Sequence, residues 1–292
     1  MAIVNASPDS FSDVGVGQAT ADRVARALAA LDAGADVLDI GGQSGITGVP
    51  EIGEDEEIDR VLPVLRGVIA ERPEAVISVD TYRPAVADAA LSAGASIVND
   101  VSCLLHEDVA RACARHDAAL VVMHTKARPK VRLQDPDAYG SDIAGEVTDV
   151  LRERIARAGE LGVAPDAIVV DPGVDYAKTP HQTVTMLRDV APIRGLGRPV
   201  LWALSRKDFV GALTRRPPQD RLAGTLAAIG HVDPQAGDLL RVHDVAATID
   251  FLAVHAALSG RTDTAPDLRL DDDLRWSDGR AGRFTSPAPT GP

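Results

Sequence analysis

The chain has 292 residues and a formal net charge of −13, with 45% hydrophobic, 25% charged and 3% aromatic residues. Such an acidic balance argues against a nucleic-acid or membrane-surface binder, and the length suits one α/β barrel of roughly 250 residues plus an extension. With so few aromatics, the core must come from Ala, Val, Leu and Ile, which favours buried parallel strands over an all-β sandwich. Cys103 and Cys113 are too few for a disulfide framework and lack metal-site spacing. No stretch approaches the roughly 18 apolar residues of a membrane span, and the N-terminus lacks a signal-peptide pattern. A cytoplasmic protein is expected.

In chain order, Met1 runs directly into an apolar strand at Ala2–Asn5; the abruptness points to a missing N-terminal strand pair or a misplaced start. Val24, Leu28 and Leu31 then repeat at helical spacing. Gly34 ends that helix before a strand at Asp36–Gly41, and Ile58, Val61, Leu62, Leu65 and Val68 mark the next helix. Strands follow at Ala75–Asp80 and, after Gly94, at Ser96–Asp100 and Ala119–His124. A long helix carries Ile143, Val147, Leu151 and Ile155 and stops at Gly162. Gly34, Gly94 and Gly162 occupy helix ends that need φ > 0. A strand at Ala167–Asp171 leads to Thr179-Pro180, an N-cap followed by proline at the first helical position. The last strands are Pro199–Ser205 and Asp238–Asp244.

Eight strands alternating with helices predict a (β/α)8 TIM barrel with its active site at the C-terminal strand ends. An open doubly wound sheet is the structural alternative, disfavoured because neither a dinucleotide fingerprint nor a Walker loop follows a strand. The expected division is a barrel over residues 1–259 and a flexible extension over 260–292. Trp276 and Phe284 could anchor that extension, against the plainer reading of a solvated tail.

The strand ends deliver Asn5, Asp39, Asp80, Asn99 and Asp100, His124, Asp171, Ser205-Arg206-Lys207, and Arg241, His243 and Asp244. One such residue is an ordinary helix cap, but eight converging groups would carry a desolvation cost without a ligand. Carboxylates and an amide come from early and middle strands, cations from the last two. A donor-rich heterocycle over the acidic wall and an anionic tail at the basic corner would satisfy both, since loops after strands seven and eight often bind phosphate.

The motifs Ile3-Val4-Asn5-Ala6-Ser7-Pro8-Asp9-Ser10-Phe11-Ser12-Asp13, Asp39-Ile40-Gly41-Gly42, Ser78-Val79-Asp80-Thr81, Asn99-Asp100, Asp171-Pro172-Gly173, Ser205-Arg206-Lys207 and Arg241-Val242-His243-Asp244-Val245 resemble those of the dihydropteroate synthase family. They occur in the family's order and span Met1 to about Leu258. The resemblance implies condensation of a 6-hydroxymethyl-7,8-dihydropterin pyrophosphate with p-aminobenzoate or a related amine, releasing pyrophosphate. It implies that Asp80, Asn99, Asp171 and Lys207 hold the pterin, with Asp80, Asp171 and Lys207 catalytic. Asn5, Arg241 and His243 would grip the pyrophosphate, with Mg2+ bridging Asn5 and phosphate oxygens. Ser7, Phe11, Ser44 and Ser205 would lie around the acceptor amine, and a homodimer is the family expectation.

The second loop departs from that pattern. Where the family has Glu-Ser-Thr-Arg-Pro-Gly, this chain has Gln43-Ser44-Gly45-Ile46-Thr47-Gly48, and Ile46 offers neither donor nor charge. Ala203 stands at a usual glycine, Asp175-Tyr176-Ala177-Lys178 replaces Gly-Phe-Gly-Lys, and Met123-His124-Thr125 lacks the usual following glycine. These differences leave three outcomes open: a synthase in which Lys126, Arg128 or Lys130 supplies the missing charge, a transferase using another amine, or an impaired or regulatory pterin-binding paralogue. A corrinoid-dependent methyltransferase ranks below these, because it has no use for a phosphate corner.

Overall fold

The computed structural model describes residues 1–7, 20–43, 50–271 and 274. By internal contacts the chain divides into two compact units, Met1–Phe251 and Leu252–Pro292. The first holds eight parallel strands: β1 (Ala2–Asn5), β2 (Val37–Gly41), β3 (Val76–Asp80), β4 (Ile97–Asp100), β5 (Ala119–Met123), β6 (Ile168–Asp171), β7 (Leu201–Trp202) and β8 (Leu239–Leu240). Between them run α1 (Thr20–Asp32), α2 (Glu54–Glu71), α3 (Pro84–Ser92), α4 (Glu107–Arg115), α5 (Ile143–Glu160), α6 (Pro180–Arg188), α7 (Ala191–Arg194), α8 (Asp208–Thr214) and α9 (Leu222–Val232). Helix α10 (Val245–Leu258) crosses the boundary between the units.

Strands β1 to β6 form one parallel sheet in sequence order, and β7 pairs with β8. Isolated parallel bridges, Val170 to Val200 and Ala2 to Val242, join the two sheets at both edges. The eight strands therefore follow one another around a (β/α)8 barrel, and the open-sheet alternative is excluded. The expected strands agree with the observed ones to within one residue at β1 to β6. Expectation and structure part at β7 and β8, which shrink to two residues each.

The local signals behave as their chemistry requires. Gly34, Gly94 and Gly162 adopt φ of +98°, +111° and +100°. Thr179 caps α6 in a reciprocal box: its hydroxyl accepts from the Gln182 amide, and the Gln182 side chain accepts from the Thr179 amide. The box satisfies two otherwise orphaned helix-end donors.

A period of two organises the barrel interior. Met1, Val37, Val121, Leu201 and Ala203 form a buried apolar cluster, with Ile97, Val169 and Leu239 against it. Residues two further along a strand share that face, and they are Asp39, Met123, Asp171, Ser205, Asn99 and Arg241. Each inward row thus runs from apolar side chains at the base to mostly polar ones at the mouth. Among the described residues, no helix is long and apolar enough to cross a membrane. In the second unit Leu258 is exposed; Trp276 and Phe284 lie outside the described residues.

Candidate active site

At the floor of the mouth lies a connected polar network. Asp39 is fully buried and accepts hydrogen bonds from Ser78 Oγ at 2.6 Å, Asn99 Nδ2 at 3.1 Å and Arg241 Nε at 2.6 Å. The same guanidinium donates to Asp80 Oδ2 at 2.8 Å. Burial works against the charge of Arg241, but Asp39 and Asp80 more than offset it and hold its pKa above the ordinary value. Burial, helped by repulsion from Asp39, Glu57 and Asp100, pushes the Asp80 carboxyl up to about 7 despite Arg241. Asn99 is buried, and among the described residues its Oδ1 has no hydrogen-bond partner.

Asp171 forms the opposite wall. It is buried, its Oδ1 accepts from the Gly173 amide at 2.7 Å, and burial raises its pKa against the pull of Lys207, Lys178 and Arg241. Lys207 stands 4.6 Å from the centroid of the Tyr176 ring. Burial lowers its pKa, while Asp175 and Asp171 favour its charged form. Burial raises the pKa of Tyr176, which lies in the combined field of Asp80, Arg241, Asp171 and Asp39. Asp80, Asn99, Asp171, Lys207 and Arg241 thus converge, and Tyr176 sits among them.

His243 Nδ1 is 2.9 Å from Ser205 Oγ, which also accepts from the His243 amide at 3.2 Å. Where the serine hydroxyl donates to Nδ1, the ring proton lies on Nε2. Burial, then Arg206 and Arg241, depress the His243 pKa to about 4. Ser205 is committed to this contact. Asn5 ends β1 half-buried, and Ser7 is buried two residues on. Phe11, Ser44 and Ile46 lie outside the described residues.

Several polar strand-end residues serve the scaffold. Asp100 accepts from the Ser102 and Leu104 amides at 2.8 Å each, fixing its own turn. Arg206 and Asp244 form a two-pronged pair at 3.1 and 2.7 Å linking the loops after β7 and β8. His124 is fully buried, and its Nδ1 is 3.0 Å from Lys178 Nζ. Lys178 also donates to the Gly173 and Tyr176 carbonyls at 3.0 and 3.1 Å. Burial holds Lys178 down to about 7, and burial plus Lys178 and Lys126 hold His124 down to about 2. Lys178 thereby staples β5 to the loop after β6 that presents Tyr176.

Neither Tyr176 nor Lys178 stands out in the sequence as a site residue. Asp39 was legible as a strand-end acid, but its partners are distant in sequence. At Asp175 and Ala177, where the family resemblance expects glycine, φ is +65° and +51°. Both residues adopt the left-handed conformation that glycine favours. Asp175 is held by Thr183 Oγ1 at 2.9 Å and the Phe209 amide at 3.1 Å. Among the described residues no group of three or more His, Cys, Asp or Glu could hold a metal ion.

Comparison with known proteins follows the same geometry. The sequence model of the pterin binding enzyme family matches residues 1–243. The dihydropteroate synthase of Bacillus subtilis is 38% identical over 246 residues, covering 84% of this chain and 83% of that protein. That of Escherichia coli K12 is 35% identical over 262 residues, covering 89% and 92%. Among solved structures, Xanthomonas albilineans dihydropteroate synthase with 4-aminobenzoic acid has a TM-score of 0.79 at 39% identity, covering 88% of this chain and 92% of that one. The Yersinia pestis dihydropteroate synthase in a sulfonamide drug complex has a TM-score of 0.82 at 32% identity, covering 89% and 93%.

Proposed function

Because the chain belongs to the pterin binding enzyme family and is a dihydropteroate-synthase-like transferase, we propose that it joins 6-hydroxymethyl-7,8-dihydropterin pyrophosphate to p-aminobenzoate. The reading is carried by Asn99 Oδ1, buried and without a partner among the described residues, on the strand position paired with Asp80. A buried acceptor left unsatisfied costs roughly 1–3 kcal/mol, and the donor-rich edge of a pterin removes that cost. Lys207 donates to the pterin carbonyl and ring nitrogen.

The reaction breaks the bond between the exocyclic carbon and the pyrophosphate oxygen, which leaves with the electron pair. The cation that remains is delocalised into the pterin ring and stabilised by Asp80 and Asp171. The arylamine nitrogen then forms the new bond to that carbon and gives up its proton to the released pyrophosphate or to solvent. Arg241 and His243 grip the pyrophosphate. Burial keeps His243 neutral at physiological pH, and with Ser205 donating to Nδ1 the ring would donate from Nε2 to a phosphate oxygen. The Asn5 side-chain oxygen is a hard donor suited to Mg2+, which takes few protein ligands alongside phosphate oxygens. Asn5 would hold the ion there, and the chemistry it would supply is neutralisation of the leaving group.

A homodimer is read from the family resemblance. A reducing, cytoplasmic setting agrees with the free thiols of Cys103 and Cys113. The deciding assay supplies the dihydropterin pyrophosphate and Mg2+ and measures pyrophosphate release with and without p-aminobenzoate. Amine-dependent release yielding dihydropteroate is expected. Release only with other amines means a changed acceptor, and pterin binding without release means a non-catalytic paralogue.

A further inference from the structure

The loop that follows β6 carries a carboxylate where the family resemblance expects glycine. Asp175 holds φ at +65°, and aspartate is among the few residues with a side chain that enter this region readily. Its carboxylate is used twice. One oxygen accepts from Thr183 Oγ1 at 2.9 Å, and Thr183 is fully buried on α6. The other accepts from the Phe209 amide at 3.1 Å. Phe209 is the second residue of α8, and Lys207 is the cap residue just before that helix. The first amides of a helix lack intrahelical partners, so Asp175 caps α8 from a neighbouring loop and fixes the backbone that carries Lys207.

The same loop also reaches the ammonium. Tyr176, the next residue, places its ring centroid 4.6 Å from Lys207 Nζ, within reach of a cation–π contact. The charged groups around Lys207 are Asp171 and Asp175 from β6 and its loop, Lys178 from that loop, Arg241 and His243 after β8, and Asp208 beside it. Burial works against the lysine's charge, and Asp175 is the strongest of the groups that oppose burial. The attraction is mutual: burial raises the Asp175 carboxyl, and Lys207 is the first group to pull it back. Asp171 faces the mouth, where the pterin would engage it, whereas Asp175 is tied to α6 and α8 and stays with the scaffold.

We propose that Asp175 is a positioning residue for the transfer, holding Lys207 in place through the start of α8 and acting as the counter-ion that keeps the lysine an ammonium when it meets the pterin. The pterin rests on the transferase reading above; the pairing of Asp175 with Lys207 does not. Titration of Lys207 by NMR in protein carrying isotope-labelled lysine, with the signal assigned by its loss in Lys207→Arg, tests the pairing without substrate. Pterin affinity measured against pH tests its use. Asp175→Asn removes only the charge, since its amide oxygen can accept from Phe209 while its nitrogen donates to Thr183. An acidic neighbour favours the ammonium, so its loss should lower the Lys207 titration by about one pH unit or more. The alkaline fall in pterin affinity should move down with it, giving about 10-fold weaker binding at a fixed pH on that limb. Asp175→Gly, which suits the left-handed backbone, should show the same shift. An unmoved Lys207 titration in these variants, as a purely structural Asp175 would give, overturns the proposal. So does a lowered titration that leaves the pH dependence of pterin binding unchanged. A lowered titration in a protein that binds no pterin at any pH removes the transferase reading and retains the pairing.

Discussion

Arg241 reaches Asp39 across the barrel mouth, Nε to Oδ2 at 2.6 Å, and so ties the strand end after β8 to β2, with which β8 shares no ladder. The pair joins positions 202 residues apart. Asp39→Ala leaves Arg241, Ser78 and Asn99 without their common acceptor. Removing one member of a buried pair costs about 3–5 kcal/mol, and chemical denaturation should show that loss. A change within the ordinary surface range would show that the pair is not structural.

Asn99 separates fold from ligand binding within one side chain. Its Nδ2 serves Asp39, while its Oδ1 awaits a donor. Asn99→Ala should weaken pterin binding by about 10-fold or more, from the 1–3 kcal/mol of a satisfied buried group. Fluorescence titration with a pterin measures it, and an unchanged affinity would remove Asn99 from the site.

Lys178 makes stability depend on pH in a defined sense. Burial holds its folded-state pKa at about 7, against an ordinary value of 10.5. Between these values the unfolded chain binds a proton that the folded chain does not, so stability rises with pH. Below about 7 both states are protonated and the folded state bears the full cost. Relative to Lys178→Met, wild-type stability should climb by up to about 1.4 kcal/mol per pH unit above neutrality. Parallel profiles of the two proteins would contradict this.

Ala177 offers the reverse experiment. It is a buried non-glycine residue at φ of +51°, a conformation costing a side-chain-bearing residue about 1–2 kcal/mol. Ala177→Gly relieves that strain at some expense in unfolded-state entropy. A net gain of about 0.5–1 kcal/mol is expected, read as a raised thermal midpoint. A lowered midpoint would mean that the methyl group's packing outweighs the strain.

Restoring a guanidinium to the second loop tests the main departure from the family pattern. Ile46→Arg should accelerate p-aminobenzoate transfer, with the gain in kcat, since the contact forms on the departing anion. Steady-state pyrophosphate release measures it. An unchanged or slower rate would mean that the loop difference is neutral drift.

All eight strands, the extents of six of them, and the polar ends of most inward rows were legible in the sequence, because period-two alternation and helix-stop glycines are local signals. The ends of β7 and β8 were not. Residues such as Ala203 and Arg241 continue the inward-facing rows and look like strand, but the ladder stops at Trp202 and Leu240. Asp80, Asn99, Asp171, Lys207 and Arg241 were legible as a set because barrel topology brings strand ends together. What stayed hidden depends on pairing over long separations. Arg206 with Asp244 and Lys178 with His124 resemble mouth residues in one dimension, yet they bond to each other in three. Tyr176 was noticed only as a departure, since nothing local reveals that the staple made by Lys178 turns it toward Lys207.

The guanidinium of Arg241 is shared property. Beside β8 the ring is closed by a two-residue ladder with β7 and, toward β1, by a bridge and three hydrogen bonds to main-chain carbonyls, and Arg241 clasps that seam to Asp39 and Asp80. A pyrophosphate that draws Arg241 toward itself borrows from the clasp, and a pterin edge on Asp80 competes for the same oxygen. Affinity and barrel integrity therefore cannot be tuned separately at this position. A variant selected for tighter grip on the leaving group would loosen the seam when empty, and hydrogen exchange at Leu240 and Val242 would register the trade.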